Sequence, residues 1–273
     1  MIFKRILPDM IVRPFIDHYL YIKDNEKRNF MFLPDNINVL TFQLAGNTNA
    51  QYAGMSCSNI KTRISGAFTD KRYFETSGTF EVIMVFMKPF AIYSLFSINL
   101  HNFKNQIISL SDVVNQSDVA ELNQKINEQN SIFDKIKIIE AFFKSIYLEN
   151  ADFPMRILEA LELIHSKSGL ISSQMIANSL NVSQRTLERL FNQVLGVNVK
   201  EYSSLIRLKT AVNHLKDFSF LTDVAYDAEF FDQSHFNRFF KKYTGISPGR
   251  FVKTDLSNKQ VVDFLQLYVE TVE

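Results

Sequence analysis

Residues 176–202, IANSLNVSQRTLERLFNQVLGVNVKEY, and residues 224–251, VAYDAEFFDQSHFNRFFKKYTGISPGRF, are two versions of one unit. Ala177 matches Ala225 at an offset of forty-eight. Past the turn the offset becomes forty-nine and pairs Ser183 with Asp232, Leu187 with Phe236, Arg189 with Arg238, Phe191 with Phe240, Gly196 with Gly245 and Tyr202 with Phe251. The second copy therefore carries one extra residue in its turn. Each unit has the length and pattern of a helix-turn-helix. Two such units in one chain point to a protein that reads DNA at two neighbouring places.

Each copy can be built from its residues. In the first, Ser172 or Ser173 can cap a short helix, because a hydroxyl accepts a bond from a free first-turn N–H. Ile176, Ala177 and Leu180 turn that helix inward, and Ala177 is small enough for a close helix crossing. Asn181 falls in the turn, where it tolerates a left-handed backbone better than most residues. Ser183 caps the second helix, Leu187, Leu190, Phe191 and Val194 form its buried stripe, and Gly196 stops it. Ser183, Gln184, Arg185, Glu188 and Arg189 are then candidates to meet DNA, since they lie in the first two turns of a recognition helix. In the second copy Ser219 caps, Val224 and Ala225 face inward, and Asp232 caps the recognition helix with a favourable charge. Phe236, Phe239 and Phe240 form its stripe, and Gly245 stops it. Ser234, His235, Arg238, Lys241 and Lys242 are its candidates. Glu229 stands in the second turn, where a positive φ would cost roughly 1 kcal/mol.

Between the units, Asn198 to Lys216 reads as one helix, with Tyr202, Leu205, Ile206, Lys209, Val212 and Leu215 stepping by three and four. Its length, roughly 25 Å, lets it hold two recognition helices about one DNA turn apart, in successive major grooves.

The stretches VSQRTLERLFNQVLGV, EYSSLIRLKTAVNHL and DVAYDAEFFDQSHFNRFFKKYTGISPGRF resemble the AraC/XylS family of bacterial transcription regulators. DQSHF, FKK, the Gly of YTG and the following Ser-Pro carry the likeness, which covers roughly residues 155–253. Glu229 departs from the family, which usually has Gly there. The resemblance implies that the first recognition helix reads bases more strongly, with Arg185, Glu188 and Arg189 as first contacts and Ser234, His235 and Arg238 as the second set. It also implies an N-terminal sensor: a small cupin-like β-barrel followed by helices that dimerise.

Composition agrees with a two-domain α+β protein. The chain has 273 residues and a net charge of only +1, but residues 154–253 hold 13 Lys/Arg against 9 Asp/Glu. Residues 1–153 hold 16 of each, so the positive excess sits where phosphate contact needs it. The single cysteine, Cys57, excludes an internal disulfide framework and suits a reducing cytoplasm. No apolar run reaches the roughly 20 residues of a membrane helix, and MIFKRILPDMIVRPF lacks the apolar core of a signal peptide.

The first 150 residues have another texture. HYLYIKD, NFMFLPD, INVLTFQLAG, TRISGAF, RYFETSG and TFEVIMVFMKP are short, rich in β-branched and aromatic residues, and separated by turn residues, which predicts a β-sandwich or barrel. A short helix follows Pro89, then helices at about 117–129 and 131–149, and a linker at 149–154. The expected parts are a sensor or dimerisation domain at 1–150, a DNA-binding domain at 154–253 and a tail at 254–273. In that tail Val261, Phe264, Leu265, Tyr268 and Val272 fit a helical stripe, and it is expected either to dock on the N-terminal domain or to cover an apolar patch.

A catalytic or metal reading finds little. His18 and His101 are far apart without an H-x-H pair, Cys57 has no neighbouring His, and there is no Gly-rich phosphate loop or G-x-S-x-G elbow. No catalytic, cofactor-binding or metal residue is therefore assigned. A barrel with few inward charges suits an apolar or weakly polar ligand; Arg63, Arg72 and Lys88 could pair with an acid, although charges on strand edges are more often solvated. Arg207 is expected either to pair with an acidic side chain near the turns or to meet DNA. The reading is a cytoplasmic, sequence-specific regulator of promoter DNA. Its expected partners are a small-molecule effector or a second copy of the chain through the N-terminal domain, with RNA polymerase as a further candidate. The alternative is a dimeric DNA-binding protein without an effector.

Overall fold

The computed structural model describes residues 1–52, 54–58, 60–150, 153–217, 230 and 232–257. It places a β-rich N-terminal half before a helical C-terminal half. Six antiparallel strands form the larger sheet: β1 (Ile2–Ile6), β2 (Ile16–Asp24), β4 (Asn38–Ala45), β7 (Thr62–Ser65), β9 (Phe80–Met87) and β10 (Ile107–Ser109), in the order β1-β2-β9-β4-β7-β10. β3 (Asn29–Phe32), β5 (Thr48–Tyr52), β6 (Met55–Cys57) and β8 (Arg72–Thr76) form the smaller one, ordered β3-β8-β5-β6. The sheets face one another and do not close, so the cupin-like barrel is open. All six stretches read as strands are strands. β1, β5, β6 and β10 lie outside those stretches; each is a short edge strand or the partner of one.

The larger sheet is buried on both faces, which is why β9 reads as the near-continuous apolar run FEVIMVFM. Alternate residues divide between the faces. Phe80, Val82, Met84 and Phe86 of β9, Leu20 and Ile22 of β2 and Val39 of β4 turn toward the smaller sheet. Ile83, Val85 and Met87, with Tyr19, Leu40, Phe42 and Ile64, turn the other way and meet the helices. The first of these, α1 (Ala91–Phe96), is followed by a 3-10 turn at Leu100–Phe103 and by α2 (Gln116–Glu128) and α3 (Ile132–Asn150). Phe153, beyond α3, stacks on Phe15 at 5.1 Å, so that side chain packs onto this half.

The C-terminal half contains α4 (Met155–Ser166), α5 (Ser173–Ser179), α6 (Gln184–Leu195), α7 (Val199–Asp217), α8 (Gln233–Thr244) and α9 (Pro248–Ser257). The first helix of the second unit, with Ser219, Val224, Ala225 and Glu229, lies outside the described residues, as does the tail beyond Ser257 and its docking.

The core does not stop between the halves. The outer face of the larger sheet, α1 to α3, and Ile176, Ala177, Leu187, Phe191, Val194, Tyr202 and Ile206 share one continuous apolar cluster. The second unit has its own, made of Leu205, Leu208, Val212 and Leu215 of α7 with Phe230, Phe236, Phe240, Tyr243 and Phe251. Gly196 marks the join. Its φ is +74°, and a Cβ there would stand 2.8 Å from the carbonyl oxygen of Leu100 in the 3-10 turn. Gly245 has the equivalent φ of +80°, but its neighbour is only the flexible end of Lys71. Gly196→Ala is thus expected to destabilise by more than the about 1–2 kcal/mol of a left-handed residue alone, and Gly245→Ala by about that amount. Urea denaturation midpoints of the two variants measure the difference.

Candidate nucleic-acid interface

The first unit is assembled by local hydrogen bonds that its sequence dictates. Ser172 caps α5 by accepting the Met175 N–H at 3.2 Å. Asn181 holds the turn at φ 51°. Ser183 caps α6 by accepting the Thr186 N–H at 3.0 Å. Gly196 ends it in the left-handed region, donating its N–H to Asn192. In the second unit Asp232 caps α8 by accepting the His235 N–H at 2.6 Å, and Gly245 ends it in the same way. The second helices of the two units, α6 and α8, are the same length, twelve residues. Leu187, Phe191 and Val194 are buried under α6, and Phe236 and Phe240 under α8.

The outward candidates lie where that burial leaves them. Ser183, Gln184, Arg185 and Arg189 are exposed on α6, and Ser234, His235, Arg238, Lys241 and Lys242 on α8. Gln184 donates to the Ser173 hydroxyl at 2.5 Å, tying the start of α6 to α5. Arg189 reaches Gln193 at 3.5 Å, a contact too long to hold it. The His235 ring meets Phe230 edge-on at 5.4 Å.

Glu188 differs from these. It is half-buried, and its Oε2 accepts the N–H of Val199, the first residue of α7, at 3.2 Å. A carboxylate there satisfies an orphan donor and suits the positive end of the helix. Asn198 and Glu201 complete the cap: Asn198 Oδ1 accepts the Glu201 N–H at 2.8 Å, and Glu201 Oε2 accepts the Asn198 N–H at 3.0 Å. This is a capping box with Asn in the place of Ser or Thr. The other oxygen of Glu201 pairs with Lys104 of the β-rich half at 2.5 Å. Sequence reasoning missed these roles; Asn-x-x-Glu before an apolar helix was the available signal.

Arg207 lies with its guanidinium 4.0 Å from the centroid of the Phe230 ring and 5.7 Å from that of Phe239. An aromatic ring therefore lies against one face of the guanidinium. At the α4–α7 crossing, His165 Nε2 and the Tyr202 hydroxyl are 3.1 Å apart. Burial, and after it the Lys209 cation, holds His165 below its usual range, while burial pushes the Tyr202 phenol up. This joint stays uncharged near neutral pH.

A cavity lies between the two sheets, and two of the three charges weighed for the barrel are buried beside it. Arg63 and Arg72 are 7% and 2% exposed and line it, whereas Lys88 sits at the surface with Asp17. Both arginines are on strands whose outer neighbours cover them, so their inward positions in the pleat are buried. Arg72 pairs with Asp35 at 2.7 Å and lies over the rings of Phe68 and Phe32. Burial raises Asp35, with the Arg72 charge and then the hydrogen bond from the Ile37 N–H opposing the rise. Among the described residues no group of His, Cys, Asp and Glu side chains is placed to hold a metal ion, and no described helix is long and apolar enough to cross a membrane.

Residues 176–254 match a family model for a helix-turn-helix domain, and residues 4–109 match one for a domain of unknown function. The Msm operon regulatory protein of Streptococcus mutans is 25% identical over 140 residues, 49% of this chain and 50% of that protein. The chain therefore spans about half the length of the curated relative it matches. Among solved structures, ToxT from Vibrio cholerae is 17% identical, with 86% of this chain and 96% of that one covered and a TM-score of 0.45. An AraC-type regulator from Chromobacterium violaceum is 28% identical over 36% of this chain and 90% of its own, with a TM-score of 0.34.

The geometry of Glu188 gives a prediction. Glu188→Ala is expected to lower stability by about 1 kcal/mol through the lost cap, and Glu188→Gln by less. Thermal denaturation measures this, and unchanged base preference in Glu188→Ala would separate capping from base contact.

Proposed function

We propose, starting from a chain that belongs to the AraC/XylS family of transcription regulators, that its two recognition helices enter successive major grooves on one side of a promoter duplex. The chain is a DNA-binding regulator, and its family and its relative are regulators, not enzymes. The observation that carries the finer reading is the equivalence of α6 and α8. Each begins at a capped N-terminus, ends at a left-handed Gly, buries its inner stripe and exposes an arginine at the same step, Arg189 or Arg238.

Arg185 and Arg189 are assigned to base edges of the first half-site, where an arginine fork matches O6 and N7 of guanine. Ser234, His235 and Arg238 are assigned to the second. Lys241 and Lys242, in the last turn of α8, and the caps Ser183 and Gln184 are assigned to phosphates. The first 150 residues are the sensing or dimerising part, 154–253 bind DNA, and the protein works in the cytoplasm as a homodimer that can meet RNA polymerase at the promoter. The cavity favours an effector over the effector-free alternative. Its occupancy would be felt by the DNA-binding half through Asp35, which pairs with Arg72 and lies two residues from Leu33 on the core of the second unit, and through the Lys104–Glu201 pair at the cap of α7.

Arg189→Ala is expected to cost about 1–3 kcal/mol of DNA affinity and to relax base preference in one half-site. Fluorescence anisotropy with matched and single-mismatch duplexes measures it. Equal weakening on all sequences would make Arg189 a phosphate contact and defeat the base assignment. Replacing Lys241 and Lys242 by Ala is expected to weaken all duplexes alike and to flatten the salt dependence by about one unit of slope for each contact.

A further inference from the structure

We propose that Gln193 and Tyr93 are positioning residues for Arg189, so that the β-rich half takes part in base discrimination at the first half-site. The proposal rests on the assignment of Arg189 to a base edge and adds to it two residues that act through Arg189. Arg189 and Gln193 are four residues apart on α6, which puts their side chains on one face. Gln193 has a partner at each end of its amide. Its Nε2 donates to the Tyr93 hydroxyl at 3.3 Å, and its Oε1 faces Nη1 of Arg189 at 3.5 Å. A guanidinium only donates, so the oxygen of the amide must face Arg189 and the nitrogen must face Tyr93, whose hydroxyl can accept. Turning the amide over would set donor against donor.

The far end of this chain is fixed. Tyr93 lies on α1, whose Ala91, Ile92 and Leu95 are buried in the cluster that α6 shares. The end of α6 is fixed as well, because the Leu100 carbonyl leaves no room for a Cβ at Gly196, three residues beyond Gln193. Arg189 is the free end. At 3.5 Å its guanidinium is not locked. The Gln193 oxygen biases an exposed side chain toward one direction through Nη1 and leaves Nε and Nη2 free for a guanine edge. An arginine ordered before it binds loses less freedom on binding, and the gain is realised only where the matching base receives the fork. The second unit supplies the contrast. At the offset of forty-nine Arg238 matches Arg189, and Lys242 stands where Gln193 stands in the first. A lysine has no acceptor to offer and carries a like charge, and its ammonium lies 5.2 Å from the centroid of the Tyr243 ring. The ordering therefore applies to the first reader.

Fluorescence anisotropy on the full chain tests this with the matched duplex and every single-mismatch duplex. The variants are Arg189→Ala, Gln193→Met and Tyr93→Phe, and each of the last two combined with Arg189→Ala. Tyr93→Phe keeps the ring, and Gln193→Met keeps length and helix propensity. At the base pair where Arg189→Ala relaxes preference, each of the two is expected to reduce discrimination about threefold or more. Discrimination at the second half-site and the melting temperature should match the parent. In the Arg189→Ala background neither should change the affinity of any duplex. Discrimination unchanged in both variants, equal weakening on all duplexes, a sharper preference, or a loss that persists without Arg189 would each overturn the proposal and leave the base assignment standing. If Arg189→Ala itself leaves base preference unchanged, the base assignment falls and the positioning role falls with it.

Discussion

One helix, α7, belongs to two cores, and the arrangement of the DNA-binding half depends on it. Tyr202 and Ile206 lie in the cluster that runs through α6 to the outer face of the larger sheet. Leu205, Leu208, Val212 and Leu215 lie in the cluster beneath α8. A helix buried on opposite sides is not a tether but a strut. Its 19 residues span about 28 Å, and each end is fixed by the unit packed against it. The relative placing of the two recognition helices is then a property of side-chain packing, which changes in discrete steps rather than by bending. Its N-terminus is fixed further by Glu188, by the box of Asn198 and Glu201, and by Lys104.

Much of the C-terminal half was legible because its signals are local. A hydroxyl or carboxylate before a helix, an Asn or Gly at a positive φ and a three-four apolar step act over a few residues, so Ser183, Asn181, Gly196, Asp232 and Gly245 do what their positions announce. The strands with two buried faces were legible for the same reason, as unbroken apolar runs. What the sequence hid depends on distant parts of the chain. Glu188 has the spacing of a base reader, and nothing local announces that its Oε2 also meets the first amide of the next helix. Arg207 finds a ring on the far side of a turn. β1, β5, β6 and β10 are short or edge segments whose strand character comes from the partner beside them. The sequence left Arg63 and Arg72 open between a solvated edge and a pair with an acid, because burial is decided by which sheet folds over them, and no local pattern encodes that.

The β-rich half touches the DNA-binding half at several independent places. The Leu100 carbonyl lies against Gly196, Tyr93 receives a hydrogen bond from Gln193 at 3.3 Å, and Lys104 pairs with Glu201. Leu33, just before Asp35, packs on the core of the second unit, and Lys71 lies against Gly245. Among the described residues, the first helix-turn-helix unit is thus joined to the N-terminal half by continuous apolar packing, the second by Leu33 and Lys71.

Selection of duplexes from a randomised DNA pool at near-physiological salt, followed by sequencing, tests the central claim most directly. A rigid α7 predicts two short enriched blocks separated by a constant spacing of about ten base pairs. A single block, or two blocks at variable spacing, would contradict an account in which packing on both sides of α7 sets the distance between the two readers.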